Sequence, residues 1–150
     1  MPRRTALIVP VREADAYYRP GNGVPAHATI LFPFLEPEAI DEEALATLFA
    51  PFPAFDFTLD RFDRFEDGTP WLHPTSSARF VDLTAAVWQR WPEVAPYEGA
   101  FDEIIPHITV TVDDVPLPIA CRAVEVVLIE ESEEDGRWST RRSFPFQGVA

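Results

Sequence analysis

The chain contains no lysine: all twelve of its basic residues are arginine. This absence excludes Schiff-base chemistry, a lysine-adenylate intermediate of the ATP-driven ligase kind, and a phosphate loop ending in Gly-Lys-Ser or Gly-Lys-Thr. Cysteine is almost as scarce. The single Cys121 cannot form an internal disulfide, which fits a reducing, cytoplasmic setting. Long apolar runs are missing too, and none approaches the roughly 20 residues needed to cross a bilayer. The stretch "TALIVPV" near the start is interrupted by Pro10 and soon meets Arg12 and Glu13, so it is expected to be a first strand rather than a leader. Positive charge is outnumbered, with 25 acidic residues against 12 basic ones and a formal net charge of −13. Long-range repulsion therefore argues against DNA, long RNA and anionic membranes as partners. Any phosphate-bearing partner must be small, or a short RNA end, and must be met by a local pocket.

With 150 residues and 47% hydrophobic content, the chain can bury one sizeable core, and residues 1–150 are read as a single domain acting as a monomer. Sixteen scattered prolines point to many short elements with stiff connections. Residues 5–11 and 27–33 read as strands, separated by the loop "READAYYRPGNGVP". Asp41 can cap a helix through about Ala50, with Leu45, Leu48 and Phe49 on one face. Phe55, Phe57 and Leu59 alternate as a half-buried strand should, and "EDGTP" turns the chain into "WLHP". Ser76 or Ser77 can cap a second helix whose Phe80, Leu83, Val87 and Trp91 share a face. Strands are then expected at about 106–112 and 122–131. The acidic turn "EEDGRW" leads into the last strand, ending near Phe146.

Two short stretches stand out against this background: "PAHATILFPF" and "PHITVTV" each place a histidine two residues before a threonine. In a strand, residues i and i+2 point to the same face, so His27 and Thr29 stand side by side, as do His107 and Thr109. Ala28 and Ile30, like Ile108 and Val110, then point to the opposite face, where a core belongs. The order of elements also repeats: a His-x-Thr strand, a connection, a long strand, an Asp-Gly turn and a partner strand. The repeats span about residues 5–75 and 76–147, the equivalent of the first helix being reduced or missing in the second. Two similar halves are most simply arranged about a pseudo-twofold axis with a cleft between them.

Should that axis bring the polar faces together, one cleft holds two imidazoles and two hydroxyls. This set suits phosphoryl transfer at a phosphodiester. An imidazole with a pKa near about 6.5 can be neutral or protonated around neutral pH, supplying a general base and a general acid. The threonine hydroxyls can donate to nonbridging phosphate oxygens. Neither a cofactor nor a metal is required, and three histidines without close His-His or Cys-x-x-Cys spacing speak against a metal site.

At "GVPAHATILFPF" and "PHITV" the sequence resembles the two-histidine phosphoesterase superfamily, in particular its 2'-5' RNA ligase and cyclic phosphodiesterase branch. The resemblance implies an α+β fold, two-lobed, with a pseudo-twofold pair of antiparallel β-sheets lining a central cleft and helices on the outside. It implies catalytic roles for His27 and His107, phosphate contacts for Thr29 and Thr109, and an aromatic or basic contribution from Tyr18 or Arg19 in the loop after the first strand. The implied activity is hydrolysis, or reversible ligation, of a small 2',3'-cyclic phosphate or a 2'-5' linked nucleotide or RNA end.

Other readings compete with this one. Two core strands could contain satisfied polar residues, although that does not account for the repetition. A binding module could grip a nucleotide or RNA end without turning it over. Tyr97 and Phe101, just before the second motif, are candidates for substrate contact like Tyr18 and Arg19. His73, in "WLHPT", lacks a threonine two places on and is expected at a strand end or on the surface. Cys121 is expected to be buried in a strand.

Overall fold

Alternation in "HATIL" decides how the centre of the molecule is built. Ala28 and Ile30 are buried, while His27 and Thr29 between them remain half-buried on the other side. The computed structural model describes residues 4–94 and 105–149. Its strands are β1 (Thr5–Pro10), β2 (His27–Leu31), β3 (Phe55–Arg64), β4 (Pro70–Pro74), β5 (Ile108–Thr109), β6 (Ile119–Ala123), β7 (Glu125–Glu131) and β8 (Trp138–Pro145). The helices are α1 (Glu42–Phe49) and α2 (Ser77–Arg90), with 3-10 turns at Arg12–Tyr17 and Pro37–Ala39.

The fold is α+β, as expected, and its strands pair antiparallel in one curled eight-stranded sheet of order β6-β3-β4-β5-β2-β1-β7-β8. The two His-x-Thr strands are neighbours at its centre, and their pairing joins the two sheet halves edge to edge. The halves do not follow the segments 5–75 and 76–147. One half takes β3 and β4 with β5 and β6, and the other takes β1 and β2 with β7 and β8.

Both helices cover the apolar side. On α2, Phe80, Leu83 and Val87 recur at the helical period and are buried. Phe80 meets Phe55 and Phe57 edge to face at 5.2 and 5.1 Å. Thr84 is buried on the same helix and donates its hydroxyl to the Ile30 carbonyl at 2.7 Å, fixing α2 against β2. On α1, Asp41 accepts from the Ala44 N–H at 3.1 Å, the expected cap, while Glu42 and Glu43 pair with Arg141 and Arg142 of β8.

Three expectations about local structure change. Ser76 precedes α2 in the left-handed region, at φ 57°, and makes no side-chain cap bond, because it serves as the turn out of β4. The strand expected over 106–112 is only Ile108–Thr109. Pro106 has no N–H to offer a ladder, and past Val110 the Thr111 N–H bonds to the Tyr17 carbonyl in the loop instead. The long strand expected over 122–131 breaks at Val124, which is 48% exposed. There the chain leaves β3's side of the sheet and joins β1's. No helix among the described residues is long and apolar enough to cross a membrane.

Candidate active site

The site follows from one pairing, Ala28 opposite Ile108. In an antiparallel ladder facing residue numbers have a constant sum, so His27 lies across from Thr109 and Thr29 across from His107. Facing side chains share a side of the sheet, with Cβ atoms about 4.5–5.5 Å apart and diagonal neighbours at about 7–8 Å. The two histidines occupy such a diagonal. The local twofold axis of the pair exchanges His27 with His107 and Thr29 with Thr109. Their apolar neighbours Ala28 and Ile108 are buried on the far side, so this face is free for polar work.

Both rings are held the same way. Nδ1 of His27 donates to the Pro25 carbonyl at 2.8 Å, and Nδ1 of His107 donates to the Ile105 carbonyl at 2.8 Å. A carbonyl only accepts, so the hydrogen sits on Nδ1, and in the neutral ring Nε2 carries the free lone pair. Burial lowers the pKa of His27 below the usual imidazole value, against the opposing pull of the Pro25 carbonyl, and the charge of His107 lowers it further. Burial likewise lowers His107, opposed by the Ile105 carbonyl. Both shifts favour the neutral form of the rings in the free protein.

Of the loop candidates, Tyr18 meets the His27 ring edge-on at 5.7 Å, and burial raises its phenol pKa. The Arg19 backbone N–H donates to the Thr111 hydroxyl at 2.9 Å, tying this loop to the segment after β5, while the residue itself is exposed. Tyr97 and Phe101 lie outside the described residues. Cys121 is buried in β6, and burial, reinforced by Glu13, pushes its thiol up to about 12, far from a nucleophile at neutral pH.

Two aromatic side chains of the site went unassigned in the sequence. Trp71 of β4 pairs with Thr109 of β5. Its indole stacks on Phe65 at 4.7 Å and meets the His107 ring at 5.9 Å, and Phe65 itself touches His107 edge-on at 5.0 Å. Extending the β4–β5 register by one residue sets His73 opposite His107. It is half-buried on the site face rather than at a free surface, with its ring 3.9 Å from that of Trp71 and Nε2 2.9 Å from Asp63 Oδ2. Among the described residues, no three His, Cys, Asp or Glu side chains come together as ligands for an ion.

An α+β sheet that sets two His-x-Thr strands side by side defines the two-histidine phosphoesterase class. Residues 3–142 match the family described as the 2'-5' RNA ligase superfamily, and the chain belongs to that family. Its fold is similar to E. coli LigT complexed with 3'-AMP, at 19% identity and TM-score 0.65 over 97% of this chain and 99% of that one. TT0787 of Thermus thermophilus is similar at 17% identity and TM-score 0.68, over 98% and 100% of the two chains. E. coli LigT complexed with NADP+ gives 20% identity and TM-score 0.63, over 97% and 98%. No curated protein matches the sequence.

Proposed function

We propose that the chain is a metal-independent phosphodiesterase acting on a small 2',3'-cyclic phosphate or a 2'-5' linked nucleotide or RNA end, with His27 and His107 as general base and general acid. One observation carries this reading: two imidazoles, each tethered through Nδ1 to the carbonyl two residues back, lie on a diagonal of one strand pair with a threonine opposite each. Nε2 of one ring accepts a proton from water as the water oxygen bonds to phosphorus. Nε2–H of the other protonates the ribose oxygen as its bond to phosphorus breaks. Thr29 and Thr109 donate to the nonbridging oxygens. With an RNA hydroxyl in place of water, the same geometry joins two ends without ATP. The nucleotides in the solved LigT complexes, 3'-AMP, NADP+ and ATP, support a ligand of this size.

The test is a screen of 2',3'-cyclic nucleotides, ADP-ribose cyclic phosphate and 2'-5' linked dinucleotides. At least one is expected to turn over, equally well in excess chelator, and at least about a hundredfold more slowly with His27 and His107 both replaced. Tight binding of a nonhydrolysable analogue without turnover of any substrate would instead point to a binding module.

A pH profile adds a second expectation. A bell-shaped kcat/KM requires one ring neutral and one protonated in the free enzyme, and its limbs belong to the coupled pair. Because burial depresses both rings, the bell should centre below about pH 6.5, the ordinary imidazole value. An optimum on the alkaline side of neutrality contradicts this protonation scheme.

A further inference from the structure

We propose that Arg61, steadied by His73, forms a second anion site that recognises a phosphate on the 5'-oxygen of the reacting nucleotide. The inference rests on the phosphodiesterase reading and deepens it. Arg61 of β3 faces His73 of β4, and the register carries the same row on to His107 of β5 and Thr29 of β2. Adjacent strands lie about 4.7–4.9 Å apart, so the Arg61 backbone stands about 10 Å from that of His107. The long arginine side chain brings its guanidinium within one nucleotide's length of a phosphorus held between the two catalytic rings.

The contacts around Arg61 leave it available. The Asp63 carboxylate only accepts, so His73 donates from Nε2 at 2.9 Å, while Arg61 Nη2 rests against the same ring, 3.1 Å from Nε2 and 3.3 Å from Nδ1. Arg61 Nη2 approaches Asp63 Oδ2 only to 4.0 Å, and the Arg61 side chain is 67% exposed. Its Nε and Nη1 have no hydrogen-bond partner among the described residues. Arg4, Arg64, Arg122, Arg141 and Arg142 each have a carboxylate oxygen at 2.5–2.8 Å. Arg61 thus presents a guanidinium edge, anchored at one nitrogen, on the very face where the histidines stand. Two N–H groups in a fork match two phosphate oxygens. The ligand class is a nucleotide with a reacting phosphate at its 2',3' side and a second phosphate at its 5' side, either a terminal monoester or the next diester of a short RNA end.

The experiment compares kcat/KM for adenosine 2',3'-cyclic phosphate, its 5'-phosphorylated form and a dinucleotide ending in a cyclic phosphate. Wild-type protein is expected to prefer one or both of the longer substrates by about tenfold, the worth of a charge-assisted hydrogen bond. Which of them is preferred identifies the source of the second phosphate. In Arg61→Gln the ratio should collapse to about one. A wild-type ratio near one, or a variant that slows all three substrates in equal proportion, overturns the site. Should the wild type turn over none of them, the phosphodiesterase reading fails, and calorimetric titration with adenosine 3',5'-bisphosphate and adenosine 3'-monophosphate decides separately. Tighter binding of the bisphosphate, lost in Arg61→Gln, upholds the second site; equal binding of the two ligands overturns it.

Discussion

Replacing His27 or His107 by asparagine is expected to lower kcat by about a hundredfold to ten-thousandfold in either case, the usual worth of one positioned acid or base. By the relation of about 1.36 kcal/mol per decade, this corresponds to about 3–5 kcal/mol of lost transition-state stabilisation. Asparagine is chosen because its amide N–H2 can still donate to the carbonyl that each ring now holds, that of Pro25 or Ile105. What disappears is the proton-transfer atom, Nε2. The double variant should fall little further than the worse single one, since acid and base act in the same step and their losses do not add. KM for a cyclic nucleotide should move much less than kcat, and thermal melting of the variants should stay close to wild type. Either single variant keeping more than about a fifth of wild-type turnover sinks the acid-base assignment.

Why the two rings meet was only partly legible in the sequence. His-x-Thr spacing fixes which face each side chain takes, because a strand repeats every two residues. It says nothing about which strands become neighbours. The adjacency of β2 and β5 depends on pairing across 80 residues, Ala28 with Ile108, and non-local pairings leave no short-range pattern. The same blindness hid Trp71 and His73. "PWLHP" shows them on one face, yet only the β4–β5 register sets that face beside Thr109 and His107. Val124 illustrates the reverse problem. Residues 122–131 read as one apolar strand, but β6 pairs with β3 and β7 with β1, so the chain must change partners and break between them. Helix α1 was legible because its signals are local: the Asp41 cap and the spacing of Leu45 and Phe49 lie within a few turns. The histidine pKa values were not, since an ordinary value is displaced by burial that only the assembled sheet creates.

Substituting valine for Thr29 or Thr109 should cost about a hundredfold to a thousandfold in kcat, as removal of a single preorganised donor to a developing oxyanion does. Valine keeps the β-branched shape that suits a strand, so the change removes the hydroxyl with little disturbance of the sheet. Serine restores the donor and should recover most of the activity, within about tenfold of wild type. That rescue separates chemistry from packing, because serine fills the position less well than valine does. The local twofold of β2 and β5 makes the two threonines equivalent in backbone position, but their surroundings differ. Thr109 faces the Trp71 indole across β4, whereas Thr29 faces Ile8 of β1. The two losses should therefore differ in size, since a hydrogen bond to charge strengthens as water is excluded. If both valine variants keep more than about a tenth of wild-type kcat, or if serine is no better than valine, the threonines are strand formers beside the site and the phosphate oxygens are held by other groups.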